Sequence, residues 1–131
     1  FPDDKSILKK SSIKIKSCGL SQNKLLTILE IASLSANKKL PTSIEIIRMR
    51  DDEIIKLFTA TKGIGEWTVQ MLLIFNLGRL DIIPKNDSAI RKNYRKLKRL
   101  TNPITPREIE MISKSWKPYR SVASWYLWGL E

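Results

Sequence analysis

Gly63 and Gly65 are separated by one residue and lie between two segments with the apolar spacing of helices. Glycine at both positions lets the backbone turn tightly and approach a ligand closely. Backbone N–H groups at the start of a helix can bind a phosphate, because the donors and the helix dipole both favour an anion. Residues 62–68 therefore predict either a phosphate-binding hairpin or an ordinary helical hairpin whose glycines serve only the turn.

The absence of histidine restricts what other chemistry the chain can perform. Among the 131 residues there is no His and a single Cys, Cys18. These counts exclude His-activated nucleophiles, His-ligated zinc, an internal disulfide and a metal site built from cysteines, and one thiol fits a reducing compartment. If the protein is an enzyme, its carboxylates or hydroxyls perform the chemistry.

The chain is strongly basic, with 24 Lys and Arg against 13 Asp and Glu and a net charge of +11. Such an excess favours a polyanionic partner, nucleic acid before a membrane, over the alternative of a merely soluble basic protein. Between Asp87 and Glu108 the basic residues form either a solvated helix face or a phosphate-facing surface. We favour the second, because they follow a hairpin of the phosphate-binding type. They are Arg91, Lys92, Arg95, Lys96, Lys98 and Arg99.

Two predicted helices hold the glycine hairpin, which extends over about residues 52–77. The first arm, residues 52–58, places its apolar side chains near one face, and Asp51 or Asp52 is expected to cap it. The second arm, residues 67–75, is almost wholly apolar, which predicts a helix buried through the core.

The rest of the chain predicts further helices. Residues 13–16 alternate between apolar and basic types, which allows a short strand or a helical turn, and we favour the helix. Other helices are marked by capping residues, acidic first turns, or a glycine at the end. Expected starts are Phe1-Pro2-Asp3-Asp4, Ser21, Ile44 after Pro41-Thr42-Ser43, Asp87, Thr105-Pro106-Arg107-Glu108 and a position near Pro118, and Gly78 is expected to end the hairpin's second arm. The sequence thus predicts one all-α domain over residues 1–131.

Four motifs stand in order along the chain: Gly63-Ile64-Gly65-Glu66-Trp67-Thr68, Asp81-Ile82-Ile83-Pro84 with Asp87, Trp116-Lys117-Pro118-Tyr119-Arg120-Ser121, and Trp128. They resemble those of the DNA glycosylases of the helix-hairpin-helix–Gly/Pro/Asp superfamily. Within it they look most like the alkylpurine branch, 3-methyladenine DNA glycosylase II. A segment upstream of the hairpin, Cys18-Gly19-Leu20-Ser21 with Lys24, also resembles that family.

The resemblance implies that Asp87 is the catalytic aspartate. Base removal passes through a sugar with oxocarbenium character, and a fixed carboxylate stabilises the developing positive charge. From its position at a helix start alone, Asp87 is more simply interpreted as an N-cap, and the family pattern favours catalysis over that alternative. Asp81, the competing carboxylate, is expected to anchor the loop before Pro84.

Trp67 stands where the related bifunctional glycosylases carry the lysine that attacks the sugar. Trp has no nucleophilic group, and Lys62 does not fill that register, so the resemblance implies a monofunctional enzyme that uses water and has no lyase step. An alkylated purine such as 3-methyladenine already carries positive charge and leaves without a strong general acid. The lack of His therefore fits this substrate.

The resemblance further implies an aromatic pocket for a base flipped out of the duplex, lined by Trp67, Met71 and Trp128. A cationic purine stacks favourably on indole faces. Simple core packing is the alternative for these residues, and for Met71 it is the stronger one. Trp116 and Trp125 are expected to be structural.

The resemblance also implies a hairpin that grips the DNA backbone. A monovalent cation on the backbone carbonyls of Thr59, Thr61 and Ile64 is expected from the resemblance alone, with no cofactor for catalysis. An iron–sulfur cluster is excluded, because one cysteine cannot supply its ligands. The residues expected to bind the DNA backbone are Lys62, Gly63, Ile64, Gly65, Trp67, Thr68 and Arg91.

The match begins part-way into the family fold, so we expect residues 1–131 to be the C-terminal portion of a glycosylase domain, incomplete at its N-terminal side. A non-catalytic helix-hairpin-helix module for damaged or abasic DNA, or a glycosylase for another lesion, are the alternatives. The expected partner is double-stranded DNA with damaged bases, and we expect a monomer. No segment resembles a signal peptide or a membrane span, so the predicted location is with the DNA, in a bacterial cytoplasm and nucleoid or a eukaryotic nucleus.

Overall fold

Helices account for all the regular secondary structure of the computed structural model, which describes residues 3–130. No strand occurs within that range, so the all-α prediction is confirmed. A π-helical turn, Leu72–Asn76, continues α6, and a 3-10 turn, Ser113–Trp116, continues α8. The helices are α1 Asp4–Lys9, α2 Ser12–Lys16, α3 Gln22–Ala36, α4 Ser43–Arg48, α5 Asp51–Thr59, α6 Glu66–Met71, α7 Ser88–Leu97, α8 Pro106–Ile112 and α9 Arg120–Trp128.

Side-chain caps fix most of the helix starts. At each of these starts a side-chain oxygen accepts the backbone N–H three residues later, which satisfies a donor that has no partner within the helix. The predicted starts at Ser21, Asp87 and Thr105 are confirmed, and residues 13–16 are helical as favoured. Of the predicted opening at residues 1–4, Phe1 and Pro2 lie outside the described residues. The capping residues are Asp3, Ser11, Ser21, Thr42, Asp87 and Thr105.

Helix α5 begins one residue earlier than expected. Arg50, and neither Asp51 nor Asp52, occupies the N-cap position, so that prediction is wrong. Its backbone N–H donates to Glu53 Oε2 at 2.8 Å, which leaves both aspartates in the first turn. The negative charges favour that turn through the helix dipole without capping it.

The chain divides into two compact units, Phe1–Glu66 and Trp67–Glu131, and the single-domain prediction stays a prediction. In the first unit, α1 and α2 pack against the long helix α3. Leu25 and Ala32 of α3 are buried, as is Ile54 of α5. A hydrogen bond of 2.6 Å from the Ser35 hydroxyl to Asp4 Oδ2 joins the far end of α3 to α1.

The second unit has a compact apolar core to which three helices and one loop contribute. Ile90 of α7, Ile109 of α8, Leu127 of α9 and Ile83 of the loop before α7 are all buried together. Asn93 of α7 donates its amide N–H to the Leu127 carbonyl at 2.7 Å, which fixes α7 against α9. The core therefore holds the start of α7 in place.

Helix α6 and the π-helical turn that continues it are buried on one side only. Val69 and Leu73 are 1% and 0% exposed, whereas Trp67 and Phe75 are 48% and 56% exposed. The prediction of a helix buried through the core is therefore wrong, because the aromatic side chains lie on the opposite side of the helix from the aliphatic ones. Gly78, with φ of 63°, follows the π-helical turn, and the expectation that it ends this arm is confirmed. None of the helices within residues 3–130 is long and apolar enough to cross a membrane.

We expect Ile90→Ala to lower the free energy of unfolding by about 2–5 kcal/mol, since it leaves a cavity at a fully buried site. Leu97→Ala, at an exposed position of the same helix, is the matched control and is expected to cost less than about 1 kcal/mol. Urea unfolding followed by circular dichroism measures both values. Equal costs for the two variants would contradict the described core.

Candidate active site

The loop between the π-helical turn and α7 is fastened first to the start of α9. The guanidinium of Arg120 donates to both carboxylate oxygens of Asp81, at 2.6 and 2.9 Å, and to the Asp81 carbonyl at 2.9 Å. The next residue of α9, Ser121, donates its backbone N–H to the Leu80 carbonyl, and its hydroxyl accepts the Ile82 N–H, at 2.8 and 2.9 Å. Asp81 therefore anchors the loop, as expected.

The second half of the loop is held by burial and by two basic side chains. Ile82, Ile83 and Pro84 are buried, and the Asp87 N–H donates to the Pro84 carbonyl at 2.9 Å. Lys85 pairs with Glu110 of α8 at 2.8 Å, and Arg91 donates to the Lys85 carbonyl at 2.8 Å. The predicted phosphate-binding residue Arg91 is thus half-buried and supports this loop.

The Asp87 carboxylate is held from two sides. Its Oδ1 accepts the Ile90 N–H at 3.0 Å, which is the capping bond of α7. Its Oδ2 accepts the indole N–H of Trp67 at 2.8 Å. The capping and catalytic interpretations of Asp87 are therefore compatible, because one oxygen serves each helix and each oxygen still has a lone pair available.

A cavity of about 640 Å³ lies beside Trp67 in the second unit. The three predicted pocket residues, Trp67, Met71 and Trp128, all line it. Phe75 stacks on Trp128, with ring centroids 5.7 Å apart and planes inclined by 29°. Since the Trp67 ring lines this cavity while its N–H binds Asp87, one side chain joins the cavity to the carboxylate. The full lining is Trp67, Met71, Phe75, Trp125, Tyr126, Trp128, Gly129 and Leu130.

The glycine hairpin belongs to the first unit up to Glu66. Gly63 has φ of 90°, in the left-handed region, and the Ile64 N–H donates to the Thr61 carbonyl at 3.2 Å to close the turn. Lys62, Gly63 and Gly65 are exposed. The hairpin therefore presents its glycines to solvent, as a backbone grip requires. Thr68, predicted with them, is exposed on α6 of the second unit.

Two of the three carbonyls expected to hold a cation, those of Thr59 and Thr61, have coordination capacity left. Thr59 is the last residue of α5, where carbonyls have no partner within the helix, and the Thr61 carbonyl accepts one hydrogen bond and keeps a second lone pair. Neutral carbonyl oxygens suit a weakly held monovalent cation. Within residues 3–130 no cluster of three or more His, Cys, Asp or Glu could hold a metal. The cation at Thr59, Thr61 and Ile64 stays a prediction.

Known proteins resemble the chain along nearly its whole length. Alkylbase DNA glycosidase-like protein mag2 of Schizosaccharomyces pombe is 36% identical over 130 residues, which are 99% of this chain and 61% of that protein. DNA-3-methyladenine glycosylase 1 of the same organism is 38% identical over 128 residues, covering 98% of this chain and 56% of that protein. No model of a known protein family matches the chain.

Solved structures give the same result. The chain superposes with a TM-score of 0.92 on Schizosaccharomyces pombe 3-methyladenine DNA glycosylase Mag1 in complex with abasic DNA, at 38% identity over 98% of this chain and 62% of that one. It superposes with a TM-score of 0.85 on a DNA-3-methyladenine glycosidase of Bacillus halodurans, at 26% identity over 98% of this chain and 58% of that one. The chain is homologous to part of the DNA-3-methyladenine glycosylases. The fold expected from the helix-hairpin-helix–Gly/Pro/Asp motifs is confirmed.

The structure differs from the sequence-based expectation at three aromatic positions. Trp125, expected to be structural, is 67% exposed and lines the cavity, so that prediction is wrong. Phe75 and Tyr126 also line the cavity and were not predicted. Phe75 lies four residues after Met71, on the same helical face, and this spacing was the available signal. Nothing comparable marked Tyr126. Trp116 packs against the core, as expected.

We expect Asp81 to make the stability of this glycosylase homologue pH-dependent. The Arg120 hydrogen bond holds the pKa of Asp81 below its ordinary value of 3.8, so the stabilisation is present above that pH and is lost as the pH falls through the lowered pKa. Asp81→Asn should be less stable than the wild type at pH 7, and the difference should shrink below about pH 4. Urea unfolding at pH 7 and at several values from about pH 4 downward measures it, with Glu30→Gln as an exposed control. A difference that stays constant with pH would contradict this role.

Proposed function

We propose that the protein is a monofunctional DNA glycosylase of base excision repair that hydrolyses the N-glycosidic bond of alkylated purines such as 3-methyladenine. The observation that carries the proposal is the hydrogen bond from Trp67, a side chain of the aromatic cavity, to the Asp87 carboxylate. The chain spans about 56–62% of the relatives described above, so the activity of the whole protein is proposed from their names and from this geometry.

The cavity suits a flipped purine. Its volume of about 640 Å³ lies within the range of roughly 300–1,000 Å³ that small-molecule sites span. Indole faces bind a cationic ring through stacking and through attraction to the electron-rich π surface. An alkylated purine carries such a charge, whereas an ordinary purine does not. The cavity therefore favours the damaged base by charge.

Asp87 supplies the charge that the reaction needs. When the bond between C1′ of the sugar and the purine nitrogen breaks, its electron pair leaves with the base, which becomes neutral. The sugar becomes positive, and a carboxylate held beside it stabilises that charge without having to reorganise. Water then adds to C1′ and loses a proton. No step requires a lysine, which agrees with the presence of Trp67 in its place.

The partner in this proposal is double-stranded DNA. The net charge of +11 provides the long-range attraction, and Lys92, Lys96, Lys98 and Arg99 are exposed on and just after α7. Mag1, the solved structure with a TM-score of 0.92, is in complex with abasic DNA. This substrate would place the protein with the genome, in a nucleoid or a nucleus.

We expect Asp87→Asn to slow base release from methylated DNA about 100-fold or more, since the carboxylate charge is lost. Asn is also a good N-cap, so the fold should be retained. Free 3-methyladenine is measured by chromatography after incubation with methylated duplex, with Asp52→Asn, an exposed change of the same kind, as control.

The same experiment separates the proposal from its alternatives. Undiminished release by Asp87→Asn would exclude the proposed mechanism. No release by the wild type, with binding to abasic DNA retained, would indicate a non-catalytic binding module.

Borohydride should trap no covalent protein–DNA adduct with the wild type, because water rather than an amine attacks the sugar.

We expect Trp67→Phe to lower the single-turnover rate of base release about 10- to 100-fold, because a hydrogen bond to an ionised group is removed while an aromatic ring remains in the cavity. Binding to abasic duplex should change by less than about threefold. Met71→Leu conserves volume in the same cavity and leaves the Trp67 N–H in place, so it is the matched control. A Trp67→Phe variant with the wild-type rate would show that the indole N–H does not position Asp87.

A further inference from the structure

The hairpin is joined to α3 by the hydroxyl of Thr27. Its Oγ1 lies 3.0 Å from the Lys62 carbonyl oxygen and 3.0 Å from the carbonyl of Asn23 in its own helix. A hydroxyl has one proton to donate. The Asn23 carbonyl already accepts the backbone N–H of Thr27 within α3, whereas the Lys62 carbonyl accepts no other hydrogen bond from residues 3–130. The bond with Lys62 therefore supplies a donor to a carbonyl that has no other, whereas the bond with Asn23 would add a second donor to a carbonyl that already has one.

This bond sets the direction of the next backbone donor. The peptide between Lys62 and Gly63 is trans, so its C=O and its N–H point in opposite directions. With the carbonyl turned toward α3, the Gly63 N–H must point away from that helix. No acceptor for this N–H lies within the described part of the chain, and Gly63 is exposed.

The contact also explains why residue 63 is glycine. Its φ of 90° is strained for any other residue, and a Cβ built on Gly63 would overlap the Thr27 hydroxyl oxygen. The hairpin backbone thus approaches α3 as closely as the absence of a side chain permits. Two independent constraints, one of conformation and one of space, meet at the same position.

We propose that Thr27 is a positioning residue for DNA binding: by holding the Lys62 carbonyl, its hydroxyl aims the Gly63 N–H at a phosphate of the DNA backbone. The proposal rests on the function proposed above, since it requires that the hairpin bind DNA. The class of ligand is a phosphodiester, because an isolated N–H beside an exposed lysine suits an anionic oxygen acceptor.

The first test compares Thr27→Val, which has nearly the same shape and no hydroxyl, with Thr27→Ser, which keeps the hydroxyl. Fluorescence anisotropy with an abasic duplex gives Kd across a range of salt concentrations. Thr27→Val should bind about 3- to 10-fold more weakly at every salt concentration, as expected for one misdirected hydrogen bond, while Thr27→Ser stays close to the wild type.

The salt dependence distinguishes a backbone donor from a charged contact. The slope of log K against log salt reports phosphates neutralised by Lys and Arg, so Thr27→Val should leave it unchanged. Lys62→Gln is the matched comparison and should reduce the slope by about one. A lower slope in Thr27→Val, equal weakening in Thr27→Ser, or unchanged binding in Thr27→Val would each overturn the proposal.

A second measurement needs no variant. In the wild type, the Gly63 amide proton should move downfield in NMR spectra when abasic duplex is added, because it gains an anionic acceptor. An unmoved Gly63 amide in a saturated complex would overturn the role of Thr27 and leave the proposed glycosylase activity standing. Failure of the wild type to bind duplex at all would overturn both proposals.

Discussion

The two hydrogen bonds to the Asp87 carboxylate are the constraint on which the candidate site depends. One comes from the first turn of α7 and the other from the indole of Trp67, twenty residues earlier. A donor on each oxygen restrains the carboxylate from rotating, so its orientation is set when the second unit folds. In the proposed reaction this matters because a charge that is already oriented stabilises a transition state without further rearrangement.

The loop before Asp87 transmits the rigidity of the core to this carboxylate. The ion pair between Arg120 and Asp81 closes one end, and the buried Ile83 joins the loop to the apolar core. Asp87 itself begins α7, whose Ile90 is fully buried in the same core. A catalytic group at the end of a packed helix is held more precisely than one in the middle of a free loop.

Features set by neighbouring residues could be predicted from the sequence, and those set by tertiary packing could not. Caps such as Ser21 and Thr105 involve residues only three apart in the chain. The turn at Gly63 is predicted by the glycine itself, because its φ is one that glycine adopts readily. The bond between Trp67 and Asp87 joins two helices, so no local pattern contains it. The exposure of Trp125 depends on how α9 packs, and an apolar run does not reveal which side of a helix faces the core. Family resemblance, rather than periodicity, selected the residues of the candidate site.

Trp67 unites two tasks in one side chain, since its ring lines the cavity while its N–H holds Asp87. A substitution at residue 67 would disturb the carboxylate even where the new side chain still lined the cavity well. Met71 lines the same cavity without a polar hydrogen-bonding group of this kind, and a side chain of this type adapts to neighbours of different shape. Under the proposed function, substitutions that change which base is preferred are therefore expected at residue 71 rather than at residue 67.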